Sequence, residues 1–307
     1  MDLAVRRGEL TGTAWERIAP LLPGVDGRGR LWRNHRQVIN GVLWRPRTGA
    51  PWRDGPERYG PWQTVYERFA RWETDGTWAK LLGHVQVRDD TAGTVKWTVS
   101  VDSTIARPHR HAAGARKERT PAGDEPGDPA RTVGTGHALG RSRGGLTTKA
   151  HLACDGRGLP LAVVVTPGNV NDSTVFDTVM GTLRVRRVGA GRPRRRPDVV
   201  IPDKAYSSRA IRRALRGRGI RAVIPERADQ KANRVRRGQA GGRPPAFDRE
   251  LYKDRNVVER CFARLKQLRA IATRFDKLAS RYKAGLQLAS LILWLREPGQ
   301  DPLSGRS

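Results

Sequence analysis

Two periodicities divide the chain. Through the first ninety residues apolar side chains recur every three or four positions, the spacing of one helix face. TAWERIAPLLPG, residues 13–24, opens with Thr13, carries Glu16 at the spacing of a capping box, and closes on Pro23-Gly24. Asn34 and Gln37 mark a second helix start before VINGVLW. GPWQTVYERFARWETDG, residues 60–76, puts Trp62, Val65, Tyr66, Phe69 and Trp72 on one face and turns Gln63, Thr64, Glu67, Arg68 and Arg71 away from it. Three short helices with one apolar stripe each predict a small bundle over residues 1–90.

From Lys96 the period changes. KWTVSVDST predicts a strand, and TTKAHLACD and LPLAVVVTPG flank Asp155-Gly156 as the arms of a hairpin. NDSTVFDTVMGTL predicts a helix, PDVVIPDKAY a strand, SSRAIRRALRGRG a helix and IRAVIPE a short strand; residues 256–274 and 277–296 close the chain as helices. Strands first, then alternating helix and strand, predict a mixed α/β sheet flanked by helices. Residues 107–145 and 226–250 are rich in Gly, Pro and Arg without an apolar period, which predicts flexible basic loops within a second domain of residues 91–299, followed by a tail at 300–307. Each loop reads equally as a segment that grips a polyanion and as an inert solvated one.

Charge narrows the class of partner. The 307 residues hold 59 Lys and Arg against 30 Asp and Glu, a net +29, with an isoelectric point near 11.5. A field of that size favours a polyanion, and nucleic acid is the commonest. The N-terminal bundle then reads either as a helix-turn-helix-like module presenting Arg68 and Arg71 to a DNA groove, or as a plain helical cap. The apolar run LQLASLILWL is too short to span a bilayer, and MDLAVRRGEL shows no secretory signal. Cys154 and Cys261 lie too far apart for a disulfide framework or a cysteine zinc site. A cytoplasmic, nucleoid-associated protein is expected, with no membrane and no small-molecule cofactor.

The acidic residues are few, and their positions carry the chemistry. Asp102 follows WTVSV and Asp203 follows VVIP, so each is expected at the carboxyl end of a strand, where ligands of α/β sheets gather. Two converging carboxylates in a basic protein point to a divalent metal. At about 100° per helical residue, Tyr252, Arg255, Glu259 and Lys266 form one polar stripe beside the apolar arc Val258, Cys261, Phe262, Leu265 and Leu268. Glu259 is thus either a third carboxylate of the site or half of an i,i+4 ion pair with Arg255. Asp172 with Ser173 reads as a helix cap, Asp155 as a turn residue, and His109 and His111 as solvated or phosphate-contacting groups more readily than zinc ligands.

Tyr252, Arg255, Glu259 and Lys266 also meet the spacing Tyr, two residues, Arg, three residues, Glu, six residues, Lys. With VDST, DKAY, GRSRGGLTTKAHL, LPLAVVVTPGNVND and PWRDGPERYGPWQTVYERFARW, this resembles the insertion-sequence DDE transposases of IS family 5, over residues 10–296. The chain departs from many relatives at Pro202 and Ala205.

The resemblance implies a ribonuclease-H-like catalytic fold behind the helical domain, with Asp102, Asp203 and Glu259 as a catalytic, metal-binding triad. It implies two Mg2+ ions per site, replaceable by Mn2+, that assist hydrolysis at the element's terminal inverted repeats and transfer of the freed 3′ ends to target DNA. Tyr252, Arg255, Lys266 and Lys204 are expected to contact double-stranded DNA, and pairing two ends requires a homodimer on DNA. Two alternatives stay open: a structure-specific nuclease of the same fold, and a catalytically decayed repressor that binds DNA ends.

Overall fold

A computed structural model describes residues 6–24, 33–115 and 137–296. Four helices come first: α1 (Gly12–Ile18), α2 (His35–Thr48), α3 (Trp62–Thr74) and α4 (Thr77–Thr91). Then follow β1 (Thr98–Pro108), the single turn α5 (Arg110–Ala113), β2 (Gly140–Ser142), β3 (Gly145–Cys154), β4 (Pro160–Pro167) and α6 (Asp172–Thr182). The chain continues through β5 (Val199–Pro202), α7 (Arg209–Gly217), β6 (Arg221–Ala222), α8 (Ala228–Arg236) and α9 (Arg249–Tyr252). It ends with α10 (Asn256–Lys266), α11 (Arg269–Ala272), β7 (Thr273–Arg274) and α12 (Ala279–Leu295). No helix among the described residues is long and apolar enough to cross a membrane.

Two compact units share this chain: Met1–Asp89, Ala106–Arg116 and Arg264–Ser307 form one, Asp90–Ile105 and Lys117–Ala263 the other. In the first, α2, α3 and α12 pack together around Val38, Val42, Trp72, Trp78 and Leu288. Trp72 and Trp78 meet edge to face at 5.0 Å, a geometry that suits their ring quadrupoles. The amino-terminal signal at Thr13 is displaced by two residues, because Thr11 is the cap and its hydroxyl accepts from the Ala14 amide. Asn34 caps α2 as expected, accepting from the Gln37 amide. On α3, Val65, Phe69 and Trp72 are buried, whereas Trp62 and Tyr66 at the edge of the stripe are exposed.

The second unit is built on a mixed sheet. Its order is β2-β3-β1-β5-β6, with β4 on β3; β3 and β4 are antiparallel, and β1, β5 and β6 are parallel. Alternation in TTKAHLAC suits the antiparallel hairpin, and the continuous apolar run VVIP suits a strand buried in the parallel part of the sheet. The predicted mixed α/β architecture is therefore present. Asp155, fully buried in the β3–β4 turn, accepts the amides of Arg157 and Leu159.

Predicted boundaries change in several places: α4 adds a fourth helix to the expected three, and the helix expected over 256–274 is divided into α10, α11 and β7. The first strand does not stop at Asp102 but runs to Pro108, since its far end pairs in parallel with β7. Residues 107–145 are not wholly loop: they include α5 and β2, while 116–136 lie outside the described residues, as does the expected tail 300–307. Residues 226–250 hold α8 and α9 rather than one flexible loop. No residue of α8 is buried, so it left no apolar period to read; it is fixed instead by ion pairs of Arg227 with Asp229 and Arg234 with Glu226.

Gly168 sets the approach of the β4 exit to β3. Its amide donates to the Thr147 carbonyl at 3.1 Å, and a Cβ there would overlap the Thr147 hydroxyl and carbonyl. Gly168→Ala is expected to destabilise the protein by about 1–3 kcal/mol, the usual cost of overpacking. A lower urea midpoint at unchanged m would show it.

Candidate active site

Parallel pairing of β1 with β5 ends at Val101↔Pro202, so Asp102 and Asp203 stand one residue beyond the last paired position on adjacent strands. Two carboxylates about a hundred residues apart in sequence are thereby brought to one end of the sheet. The Asp102 carboxylate is largely withdrawn from solvent. It accepts the Ser103 amide at 2.8 Å and Arg255 Nη2 at 2.7 Å. Burial pushes its pKa up, the Ser103 amide and Arg255 oppose this, and Asp203 and Asp172 add to the rise. Asp203 accepts the Ala205 amide at 2.7 Å and so caps the 3-10 turn Lys204–Tyr206.

Glu259 enters through Arg255. Arg255 Nη1 donates to Glu259 Oε1 at 2.7 Å while Nη2 reaches Asp102, so one planar guanidinium spans two carboxylates that are 157 residues apart. Glu259 forms the i,i+4 pair with Arg255, whose other nitrogen reaches Asp102. Burial works against the Arg255 charge, but Glu259 and Asp102 outweigh it and raise its pKa. The uniform helical stripe does not hold, because Lys253–Arg255 is a 3-10 turn that separates α9 from α10 and packs on β5. Of the expected apolar arc, Val258, Cys261, Phe262 and Leu265 are buried and Leu268 is half-buried; Val257, outside the arc, is buried as well.

The remaining site candidates differ in placement. Tyr252 ends α9, half-buried and edge to face with Phe247 at 5.2 Å; burial raises its pKa, Arg255 opposes, and Asp203, Asp102 and Glu259 reinforce. Lys266 is partly buried at the end of α10, where desolvation lowers its pKa. Lys204 and Arg71 are exposed. Arg68 is not: it is 8% exposed, with Nη1 2.8 Å from His35 Nδ1 and its guanidinium over Trp72. His109 and His111 stack on one another at 4.7 Å, and His109 stacks on Phe275 at 5.1 Å.

Sequence reasoning missed a set of groups around Asp172. The helix cap is Asn171, which accepts the Ser173 amide, so Asp172 is released from that duty. Its Oδ1 instead accepts Lys149 Nζ at 2.8 Å and lies 4.0 Å from His151 Nδ1, which is buried and unpartnered. Burial lowers the His151 pKa to about 4, so the ring is neutral near pH 7. Tyr206, of DKAY, is 1% exposed, rests on Phe176 of α6 at 5.8 Å, and has an unpartnered hydroxyl. Its pKa is raised first by burial and then by Asp172, Asp102 and Asp203. The alternation Lys149-Ala150-His151 on β3 was the available signal.

Among the described residues no group of three or more His, Cys, Asp or Glu is arranged to hold a metal ion. The donor chemistry nevertheless suits a hard divalent cation, since Asp102, Asp203 and Glu259 offer only carboxylate oxygens. In this arrangement the Arg255 guanidinium supplies positive charge between Asp102 and Glu259.

Residues 93–294 match the family described as "Transposase DDE domain", and residues 10–82 match "Putative transposase of IS4/5 family". A relative from Burkholderia cepacia, the "Putative transposase for insertion sequence element IS402", is 37% identical over 148 residues, 48% of this chain; the match spans 63% of that relative's length. The corresponding protein for element IS6501 of Brucella ovis is 32% identical over 151 residues, 49% of this chain and all of that relative. Among solved structures, the Mos1 transposase paired-end complex with left transposon end aligns over 82% of each chain at 12% identity, with a TM-score of 0.24.

Proposed function

The chain belongs to the transposase DDE-domain family, and on that premise we propose that it is the DNA transposase of a bacterial insertion sequence, cutting the phosphodiester at the element's ends and joining the freed 3′-OH to target DNA. The observation that carries this reading is the meeting of Asp102 and Asp203 at one end of the sheet, with Glu259 tied to Asp102 through Arg255. Asp102, Asp203 and Glu259 would hold two Mg2+ ions, or Mn2+ in their place. When bound, such ions supply charge to the attacking and departing oxygens of the displacement.

The chain's own groups orient and exclude. Arg255 is a positioning residue: its fork fixes the carboxylates of Asp102 and Glu259 relative to each other. Arg and phosphate form the same bidentate pairs, so Arg255 can also exchange a carboxylate partner for a phosphate of an incoming strand. Tyr206, buried under the carboxylates, keeps water from their inner side. Tyr252 and Lys204 contact the DNA backbone near the cut; in the other unit Lys266 contacts DNA, and Arg71 on the exposed side of α3 contacts the element's end. Arg68 takes no part in DNA contact; its buried guanidinium braces Trp72. Residues 1–90 serve end binding and 91–299 catalysis. Two copies pair two ends on DNA at the nucleoid.

The test is incubation of the full chain with DNA carrying its own element flanks, Mg2+ and a supercoiled target, followed by mapping of cut and joined products. Cuts at the element's ends with 3′ joining are expected. Cutting at structured DNA without joining would replace this reading by the nuclease. End binding without any cutting would replace it by the decayed repressor.

A further inference from the structure

A second basic site is lined from Ser207 onward, just after the 3-10 turn that Asp203 caps. A cavity of about 420 Å3 runs between the start of α7 and α8, with Arg209, Arg212, Arg234, Arg237 and Arg243 in its wall against a single acidic side chain, Glu226. Glu226 is taken up by Arg234. Arg212 donates to the Ser207 hydroxyl at 3.2 Å and the Ile224 carbonyl at 2.8 Å, and desolvation lowers its pKa. Arg209, Arg237 and Arg243 form no ion pair among the described residues. Crowding like charges in one concavity costs free energy unless an anion enters it.

The wall is fixed to the catalytic strand. Gln230 of α8 holds Ser207 twice: its carbonyl oxygen accepts the Ser207 hydroxyl at 2.7 Å, and its amide donates to the Ser207 carbonyl. Ser207 follows the turn that Asp203 caps. The amino terminus of α7, with Ser208 and Arg209 in the same wall, adds the positive end of a nine-residue helix. Because α8 buries nothing, hydrophobic packing does not account for its place. Polar contacts do, through Gln230 to Ser207 and Arg234 to Glu226, and they leave Arg209, Arg237 and Arg243 of the wall without a counter-ion among the described residues.

We propose that this groove binds the phosphodiester backbone of a DNA strand leaving the carboxylates. The common chemistry is phosphate, for which guanidinium forks are suited; DNA is chosen over a free phosphate because the groove's lining starts at Ser207, four residues after Asp203, and that choice rests on the transposase reading above. Contacts of this kind position the strand and carry no base preference.

The test compares the full-length parent with R237A/R243A and R237K/R243K, their folding first verified by thermal melts. A fluorescent duplex with a single-stranded overhang is the probe, titrated over a series of salt concentrations. R237A/R243A is expected to bind about tenfold more weakly whatever the sequence, with the slope of log K against log salt reduced by about two, one for each lost phosphate contact. R237K/R243K, which keeps the charge, is expected to retain the slope. An unchanged slope in R237A/R243A overturns the proposal. So does displacement of the probe from the parent, but not from R237A/R243A, by inorganic phosphate at equal concentration, which would mark a free-phosphate site. A parent that cuts DNA while the slope stays constant sinks the groove alone; a slope that falls while the parent never cuts sinks the transposase reading and leaves the groove.

Discussion

Asp102→Asn is expected to lose Mg2+-dependent cleavage by at least about a thousand-fold, the order that loss of one member of a catalytic unit costs, and yet to melt no lower than the parent. The two effects share one cause. Burial holds the Asp102 carboxyl above its ordinary pKa, with the Ser103 amide and Arg255 only partly opposing. A raised carboxyl is disfavoured in its charged form by folding, so its contribution to stability is full below the unfolded pKa and is lost as pH rises through the folded value. Asparagine imitates the uncharged form at every pH; its one oxygen keeps the Ser103 bond, which is on Oδ1, while Arg255 loses its bond to Oδ2 and keeps Glu259, so relief of the buried charge offsets that loss. Added Mg2+ should raise the parent's melting temperature by ligand linkage and leave that of the variant unchanged. Cleavage retained by D102N, or a melt several degrees below the parent, would remove Asp102 from the site.

The other two carboxylates separate catalysis from stability differently. Asp203→Ala also removes a cap, for which about 0.5–2 kcal/mol is the common cost. Glu259→Ala breaks only an exposed i,i+4 pair, worth a few tenths of a kcal/mol. All three are expected to stop cutting, while their stabilities fall in the order D102N, E259A, D203A. Three unlike stabilities with one shared loss of cutting would tie the effect to the site rather than to the fold.

What sequence made legible follows from the range of each interaction. Alternation in TTKAHLACD and the apolar run VVIP are local patterns, and the hairpin and the strand β5 formed where they were read; that β5 pairs with β1 was not legible. The cap at Asn34 was legible for the same reason, since cap and amide are three residues apart. Arg255 was not. Its second partner, Asp102, lies 153 residues away, and the 3-10 turn before α10 broke the angular count that placed it. Arg68 is a similar case: its position turned it away from the apolar face toward a DNA groove, but Trp72 and His35 supply it a buried seat. Helix α8 was invisible because side-chain ion pairs, not an apolar stripe, hold it.

A like case in the first unit carries the other large effect. Arg45 of α2 and Asp276, just before α12, form two parallel bonds at 3.1 and 3.0 Å with side chains 10% and 13% exposed, and the guanidinium lies over Trp52 at 5.3 Å. Removing one partner leaves a desolvated charge without its counterpart, which costs about 3–5 kcal/mol. Set against a total stability of roughly 5–15 kcal/mol, either Arg45→Ala or Asp276→Ala alone should bring the protein close to unfolding at body temperature. Joint replacement by Met and Leu removes both charges and fills the space, so R45M/D276L should lose far less than the two single variants combined. Chemical denaturation of the four proteins reads this directly. Additive losses in the cycle would mean that the pair is screened by water despite its low exposure, and that α2 and α12 are joined by apolar packing alone.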